Sequence, residues 1–371
     1  MAQAVLIIGG GVIGCASALA LAQAGCRVTL IERGLIGGES SWAGAGLLSA
    51  LLPWDYRSEV VRLMNQSRAM YPQWIESLAA SGIDPEYRAS GLLVLPPYDL
   101  PQALSWAHSS GEALEELSAR QIEPSLDFDG NALWMPQVAQ VRNPRLLRAL
   151  HQALLQHGVT VHEGTALTGW RSEGAHVAGV VAARDTLEAD SYVTTTGAWS
   201  CETLGTLGGA CGGDWAKQLP IKPMRGQIVL YKTTPGRLRH MLYCDGFYLI
   251  PRDDGHILAG STLEDVGFDK QVTAAARVSL MQRAVALLPW LNEVPVVGHW
   301  AGLRPAAPDN LPIISRHPAF ENLYINSGHY RYGVTLAPVS AQVLTDLVLK
   351  RDAGLDLQAF AWPGASTSCE N

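Results

Sequence analysis

The sequence predicts an α/β protein in which a Rossmann-like, dinucleotide-binding domain is joined to an α+β domain built on an antiparallel sheet. Three observations lead to this prediction. A glycine-rich turn joins a short apolar strand to a helix near the start of the chain, and residues 322–349 repeat that arrangement near its end. Between them, residues 222–299 contain short apolar runs separated by turn residues, a pattern typical of antiparallel strands.

The first of these features is a G-x-G-x-x-G motif. Residues 4–8 are a continuous apolar run, which predicts a strand buried on both faces. Gly9 allows the tight turn out of that strand, Gly11 lets backbone approach a pyrophosphate, and Gly14 lets the following helix lie close to the strand. The N-terminus of this helix presents free N–H groups and a partial positive charge to phosphates.

A second strand, residues 27–31, ends at an acid. Glu32 follows Gly14 by 32 − 14 = 18 residues, about where a ribose-binding acid stands in dinucleotide-binding proteins. A carboxylate at this position accepts hydrogen bonds from ribose hydroxyls and repels a 2′-phosphate. The motif therefore favours FAD or NAD over NADP and does not by itself choose between the first two.

Composition excludes several classes of protein. A chain of 371 residues is longer than a single hydrophobic core usually serves, so two domains are expected. Hydrophobic residues make up 48% and charged residues 16%, which is the balance of a globular protein rather than of a disordered one. The net charge of −7 argues against nucleic acid as a partner.

The cysteines and the N-terminus predict a cytoplasmic protein. No C-x-x-C pair or zinc pattern occurs, so no metal is expected and a reducing compartment fits best. The start of the chain lacks a basic n-region and reads as the first strand rather than a signal peptide, and no apolar run of about 20 residues predicts a membrane span. The six cysteines are Cys15, Cys26, Cys201, Cys211, Cys244 and Cys369.

The remaining elements follow from apolar periodicity and from the positions of glycine and proline. Residues 33–48 are rich in Gly, Ser and Ala, and such a segment can pass close to a flat ligand. Helices are predicted at 58–81, 101–109, 118–122, 144–157, 273–288 and 334–349. Strands are predicted at 91–95, 159–162, 166–171, 177–182, 191–196, 226–232, 241–244, 247–251, 257–261 and 322–326.

These elements divide the chain into two discontinuous domains. The cofactor-binding domain is predicted to comprise residues 1–84, 145–205 and 298–371. The substrate-binding domain is predicted to comprise residues 85–144 and 206–297. Asp253-Asp254-Gly255 is a hairpin turn signal in the middle of the second domain.

Several stretches, spread over nearly the whole chain, together resemble the D-amino-acid oxidase superfamily, and most closely its bacterial glycine oxidases of thiamine synthesis. The first matching stretch is the Gly9–Gly14 motif together with Glu32. The further matching stretches are Ser40–Leu47, Thr196-Gly197-Ala198-Trp199-Ser200, Met224-Arg225-Gly226-Gln227, Tyr248-Leu249-Ile250-Pro251-Arg252, Gly302-Leu303-Arg304-Pro305 and Gly328-His329-Tyr330-Arg331-Tyr332-Gly333.

The resemblance implies noncovalently bound FAD and the oxidation of a small amino acid to an imino acid, with O2 reoxidising the flavin. Glycine would give glyoxylate, ammonia and hydrogen peroxide after hydrolysis, or its imine would pass to thiazole formation. The resemblance also implies a homo-oligomer, often a tetramer. The residues agree with this chemistry, because hydride transfer to a flavin needs no side-chain acid or base when the amine is neutral.

Three residues are the candidates for substrate binding and catalysis. Arg304 matches the carboxylate-binding arginine of the family, and its planar fork suits a carboxylate. Tyr248 matches a tyrosine that lines the substrate site, and Arg331 matches a position near the substrate and the flavin. Each has a plainer alternative: a surface ion pair for Arg304, a sheet-surface tyrosine for Tyr248 and a helix-entry arginine for Arg331.

A larger set of residues is carried over as FAD contacts. The last helix is expected to point its positive end at the flavin and to stabilise negative charge there. The set is Gly9, Gly11, Val12, Ile13, Gly14, Glu32, Arg33, Ser40, Ser41, Ala45, Gly46, Leu47, Leu167, His329, Tyr330, Arg331, Tyr332, Gly333, Val334 and Thr335.

The chain departs from the family pattern at the expected substrate pocket. Leu47 and Leu263 stand where the compared glycine oxidase has methionines, and Trp42, Trp54 and Tyr56 are expected to add bulk near the flavin loop. Sarcosine, N-ethylglycine and small D-amino acids therefore stay open as substrates beside glycine.

Three other functions remain open at this point. A D-amino-acid dehydrogenase would pass electrons to a membrane quinone, but no basic amphipathic helix for docking on a membrane is seen. A sarcosine oxidase would hold its flavin through a cysteine, and none of the cysteines lies in a matching stretch. A flavoprotein without turnover would not need Arg304 and Tyr248.

Overall fold

A computed structural model of the chain describes residues 2–183, 185–207 and 214–363. Cys211 and Cys369 lie outside the described residues. The helices are α1 (Val12–Gln23), α2 (Ser40–Ala43), α3 (Ser58–Ser77), α4 (Leu100–Ser110), α5 (Ala119–Ile122), α6 (Asn143–Gln156), α7 (Ser200–Gly205), α8 (Trp215–Gln218), α9 (Ala274–Leu287) and α10 (Gly333–Val348).

The strands form four sheets. They are β1 (Ala4–Ile8), β2 (Arg27–Ile31), β3 (Leu47–Leu48), β4 (Leu92–Val94), β5 (Glu115–Ser118), β6 (Asn131–Met135), β7 (Ala139–Gln140), β8 (Thr160–His162), β9 (Leu167–Glu173), β10 (His176–Ala182), β11 (Asp185–Leu187), β12 (Ser191–Thr194), β13 (Lys222–Lys232), β14 (Met241–Cys244), β15 (Phe247–Pro251), β16 (His256–Gly260), β17 (Val296–Ala306), β18 (Ile313–Arg316) and β19 (Leu323–Ser327).

The predicted dinucleotide-binding domain is confirmed as a six-stranded sheet in the order β18-β19-β12-β1-β2-β8. All of its pairs are parallel except the edge pair of β18 with β19, and Leu6 of β1 lies between Thr29 of β2 and Tyr192 of β12. Every residue of β1 is buried, because apolar clusters cover both faces of the sheet. This explains the continuous apolar run in the sequence.

Helix α1 lies on one face of this sheet, packed between it and helices α6 and α10. Nine of its twelve residues are buried. Small residues permit this close packing, and Gly14 is the tightest position: a Cβ there would lie 1.9 Å from the Gly9 carbonyl oxygen. The role predicted for Gly14 in helix–strand packing agrees with this contact.

The predicted antiparallel domain is built on an eight-stranded sheet in the order β17-β13-β16-β15-β14-β4-β6-β5. The sequence predicts the other strands of this sheet but misses β5, β6 and β17. Strand β5 is a polar edge strand without a buried face, so it carries no clear apolar alternation. The single parallel pair in the sheet joins β14 to β4.

Strand β17 spans one boundary of the predicted domain division. It pairs with β13 over most of its length, with Gly226 opposite Gly302. The boundary predicted between residues 297 and 298 therefore falls inside a strand of the eight-stranded sheet. The division into two domains stays a prediction. No helix among the described residues combines the length and the apolarity needed to cross a bilayer.

Candidate active site

A cavity of about 760 Å³ lies between the carboxyl ends of the parallel strands and the eight-stranded sheet. Gly9 follows β1, residues 195–197 follow β12 and Ser327 ends β19, and all of them line the cavity. Ligands of open α/β sheets bind at this edge. The predicted strand 191–196 stops at Thr194, so Thr195 and Thr196 face the cavity from a turn.

The structure brings nearly all predicted cofactor residues to this cavity. The exceptions are Gly14 and Thr335, which do not line it: Gly14 is enclosed by the β1 turn, and the Thr335 hydroxyl donates to the Leu47 carbonyl oxygen at 3.2 Å. Their effect on a ligand is therefore indirect. The predicted cofactor residues that line the cavity are Gly9, Gly11, Val12, Ile13, Glu32, Arg33, Ser40, Ser41, Ala45, Gly46, Leu47, Leu167, His329, Tyr330, Arg331, Tyr332, Gly333 and Val334.

Two helix N-termini meet the cavity, those of α1 and α10. Their partial positive charges favour an anionic or electron-accepting ligand. Glu32 is fixed beside α1, because its carboxylate accepts from the Gly10 N–H at 2.7 Å and from the Gly34 N–H at 2.8 Å. The Ser41 hydroxyl accepts from the Val12 N–H at 2.9 Å.

His329 lines the cavity, but its side chain is directed away into α10. The ring is buried and its Nε2 lies 2.9 Å from the Ser340 hydroxyl. Burial lowers the pKa of His329 to about 3, so the ring is neutral at physiological pH. His329 therefore acts as a structural residue of this turn rather than as a proton donor to a ligand.

Arg252, at the end of β15, joins the eight-stranded sheet to the segment 40–48. Its guanidinium donates to the Ala45 carbonyl oxygen at 2.6 Å, to the Gln140 side chain at 2.5 Å and to the Val141 carbonyl oxygen at 3.0 Å. Burial lowers the pKa of Arg252 to about 10. This arginine holds the glycine-rich wall of the cavity in place.

Two asparagines that the sequence analysis did not single out also line the cavity. Asn143 donates to the Ser41 carbonyl oxygen at 2.7 Å, and Asn326 donates to the Ser340 carbonyl oxygen at 3.1 Å. Their side-chain oxygens are buried and have no partner among the described residues. The sequence offered only an indirect signal for Asn143, since Asn143-Pro144 reads as a helix start.

The two unpartnered amide oxygens can accept from N–H or O–H groups of a bound ligand. Glycines complete the fit. Gly9 adopts φ +110°, and a Cβ on Gly46 would lie 2.0 Å from the Val141 carbonyl oxygen, so both walls are bare backbone. A long, flat ligand with phosphates and with N–H and O–H donors, as FAD is, fits these residues.

Arg304 lies on β17 at the wall of the cavity, where two adjoining residues hold its guanidinium. Nη2 donates to the Ser261 hydroxyl at 2.6 Å and Nη1 donates to the Thr262 carbonyl oxygen at 3.2 Å. Gly226 lies against the guanidinium, because a Cβ there would be 2.0 Å from Nη1. Burial lowers the pKa of Arg304, and the neighbouring Tyr248 opposes this shift only in part. An arginine side chain nevertheless stays charged in a protein.

The other two candidates also border the cavity. Tyr248 lies on β15, and a Cβ on Gly260 would be 3.0 Å from its hydroxyl oxygen. Arg331 is exposed and lies near the last helix, with its Cζ 5.1 Å from the Tyr330 ring centroid. The structure thus brings Arg304 and Tyr248 together and leaves Arg331 as the most accessible of the three.

The expected bulk near the flavin loop is only partly present in the cavity wall. Leu47 and Leu263 line the cavity. The other three side chains pack elsewhere: Trp42 against Trp300, Trp54 against Trp106 and Tyr56 against Tyr332. Trp42, Trp54 and Tyr56 therefore add bulk beside the cavity wall without lining the cavity themselves.

Trp199, for which the sequence predicts no role of its own, also lines the cavity. The Cζ of Arg33 lies 3.9 Å from the centroid of the Trp199 ring, and both residues line the cavity. This cation–π contact joins two segments of the cavity wall. Among the described residues, no group of three or more His, Cys, Asp or Glu side chains could hold a metal ion.

The contact between Gly226 and Arg304 leads to a first prediction. The Gly226→Ala substitution places a methyl group on the guanidinium, which can move because it ends a flexible side chain. We expect carboxylate ligands to bind at least tenfold more weakly while the melting temperature changes little. Titration of the holoprotein with acetate, followed by the visible spectrum, measures this effect.

The matched control for that prediction is Gly169→Ala. A Cβ at Gly169 would lie 3.9 Å from its nearest neighbour, in ordinary contact and in the separate three-stranded sheet. Equal acetate affinities in the Gly226→Ala variant and the wild type would contradict the contact.

The comparisons with known proteins agree with this site. The family model described as DAO, FAD dependent oxidoreductase, matches residues 4–347. The glycine oxidase of Pseudomonas aeruginosa is 42% identical over 370 residues, which cover 98% of this chain and 100% of that protein. These matches confirm the resemblance drawn from the motifs.

Two further proteins extend the comparison. The crystal structure of glycine oxidase from Geobacillus kaustophilus matches with a TM-score of 0.88 and 30% identity, over 97% of this chain and 98% of that chain. The bifunctional protein ThiO/ThiG of Trichormus variabilis is 33% identical, and the match covers 97% of this chain but 55% of that protein. The chain belongs to the FAD-dependent oxidoreductase family of the D-amino-acid oxidase type, and its cofactor is FAD.

Proposed function

We propose that the protein is an FAD-dependent oxidase of glycine and other small amino acids. The observation that carries the proposal is the guanidinium of Arg304, which is held by Ser261 and Thr262 at the wall of the cofactor cavity. A guanidinium in this place binds the carboxylate of an amino acid. The match to glycine oxidases over nearly the whole chain supports the same substrate class.

The residues of the site have few tasks in this reaction. Arg304 binds the carboxylate and Tyr248 adjoins it, which orients the Cα–H bond toward the cofactor. FAD, when bound, would supply the two-electron acceptor that links oxidation of the substrate to reduction of O2. Overall, the amino acid loses two hydrogens to become an imine, and O2 gains them to become H2O2; water then releases glyoxylate and ammonia from the glycine imine.

The cavity wall favours a small substrate. Leu47 and Leu263 line the cavity with branched apolar side chains and add no further charge. Glycine, sarcosine and D-alanine are the substrates to rank. The resemblance also implies that the imine supplies thiazole formation in thiamine biosynthesis. The homo-oligomer, tetramer included, and the cytoplasmic location stay predictions.

The experiment is anaerobic mixing of the purified protein with glycine while the blue-light absorbance of the flavin is followed. We expect bleaching, then return of the colour on admission of air with production of H2O2. Rapid bleaching without oxygen uptake would favour a dehydrogenase that uses another electron acceptor. A holoprotein that glycine, sarcosine and D-alanine all fail to bleach would contradict the proposed function.

A further inference from the structure

The segment that connects β16 to α9, residues 261–273, carries two of the groups that touch Arg304. It runs along β13 through an antiparallel bridge between Arg225 and Glu264. We propose that Ser261 is a positioning residue: its hydroxyl holds the Arg304 guanidinium in the orientation that receives the substrate carboxylate. This inference rests on the proposed function, and it adds a residue that the sequence analysis did not identify.

The geometry limits what Arg304 can do. A guanidinium has five N–H donors, and here one N–H of Nη2 is directed to Ser261 while one N–H of Nη1 is directed to the Thr262 carbonyl oxygen. Two contacts on two different nitrogens fix the orientation of the guanidinium plane. The other N–H donors of the guanidinium are left for the neighbouring Tyr248 and for a carboxylate, so the two contacts orient the group without using all of its donors.

Gly226 closes the space beside this plane. A Cβ on this glycine would lie 2.0, 2.2 and 2.3 Å from Nη1, Nη2 and Cζ of Arg304, so the glycine is covered by the whole guanidinium. Because arginine side chains have large rotamer entropy, a free Arg304 would lose it on each binding event. Holding the group in advance removes that cost.

Ser261 stands on a rigid support. The neighbouring Thr262 hydroxyl accepts from the Gln227 N–H at 2.9 Å and donates to the Glu264 carboxylate at 2.5 Å. Arg225, which is 4% exposed, pairs with Glu264 at 2.6 Å. This network holds the segment independently of the Ser261 hydroxyl, so removing that hydroxyl should loosen the orientation of Arg304, which keeps its bond to the Thr262 carbonyl oxygen, and leave the segment in place.

The expected effect is on binding rather than on turnover. In the Ser261→Ala variant, we expect KM for glycine to rise about tenfold, since a hydrogen bond to a charged group is lost. The value of kcat should stay within about twofold, because the substrate that does bind meets the same cofactor. Ser261→Thr retains a hydroxyl and should restore KM to near that of the wild type.

The experiment compares four holoproteins: wild type, Ser261→Ala, Ser261→Thr and the control Ser172→Ala. Ser172 is exposed on β9, in the separate three-stranded sheet. Each is assayed by oxygen uptake with glycine and titrated with acetate, followed by the flavin spectrum. Acetate has the carboxylate without the amine, so its dissociation constant reports the Arg304 site without any turnover.

The proposal expects KM and the acetate dissociation constant to rise together in Ser261→Ala alone, with unchanged FAD content. Values within twofold of the wild type for both would overturn it, as would a fall in kcat with KM unchanged. If the wild type does not oxidise glycine, the proposed function fails while the acetate titration still decides the role of Ser261. A wild type that does not bind acetate overturns the inference as well.

Discussion

Replacement of Arg304 by alanine is expected to weaken the binding of glycine by a hundredfold or more. The guanidinium is the charged group that Ser261 and Thr262 hold at the cavity wall. Removing one partner of a buried charge pair costs about 3–5 kcal/mol, and about 1.4 kcal/mol corresponds to tenfold in affinity. Steady-state oxygen uptake with glycine, together with the acetate titration, measures the loss.

Two further variants make this test specific. Arg304→Lys keeps the positive charge but loses the planar fork, so it should recover only part of the affinity. Arg171→Ala removes an exposed arginine of β9 in the three-stranded sheet and should leave KM unchanged. Normal glycine kinetics in Arg304→Ala would refute the assignment of Arg304 to the carboxylate.

Replacement of Gly14 by alanine is expected to release the cofactor. A Cβ at this position would lie 1.9 Å from the Gly9 carbonyl oxygen and 2.6 Å from the Thr195 hydroxyl. The atom nearest to the added methyl group is a backbone oxygen, which cannot rotate away as a side chain can. Helix α1 must therefore move away from β1, and the turn at Gly9 must deform. Overpacking of this kind costs about 1–3 kcal/mol, and the same movement disrupts the phosphate-binding turn.

The measurement is the ratio of flavin to protein absorbance after purification, combined with the melting temperature in the presence and absence of added FAD. We expect a largely colourless protein with a lowered melting temperature. Gly205→Ala is the control, because a Cβ on this exposed helical glycine would lie 3.4 Å from its nearest neighbour. A fully yellow Gly14→Ala protein would show that the helix can shift without loss of FAD.

Sequence reasoning was accurate where a local pattern has only one structural solution. The strand–turn–helix unit from Ala4 to Gln23 is one example, since its glycines, its small helical residues and its apolar strand all require each other. Sequence reasoning could not show where Trp42 and Trp54 pack, because their partners, Trp300 and Trp106, are distant along the chain.

The missed residues share the same cause. Ser261 and Thr262 follow β16 and show no motif, and only the pairing of β13 with both β16 and β17 brings them to Arg304. Asn143 begins a helix, and its second task as a cavity residue depends on its contact with Ser41, 102 positions earlier in the chain. Such contacts have no sequence spacing that could reveal them.

The sequence by itself determined that the chain binds a dinucleotide, because the backbone requirements at glycines are local, and its resemblance to a known family implied FAD and the arginine proposed to bind the carboxylate. The tertiary structure decided how that arginine is held, which side chains reach the cavity and where the eight-stranded sheet ends. Those features arise from contacts between segments far apart in the chain, and burial and packing are settled only when the sheets assemble.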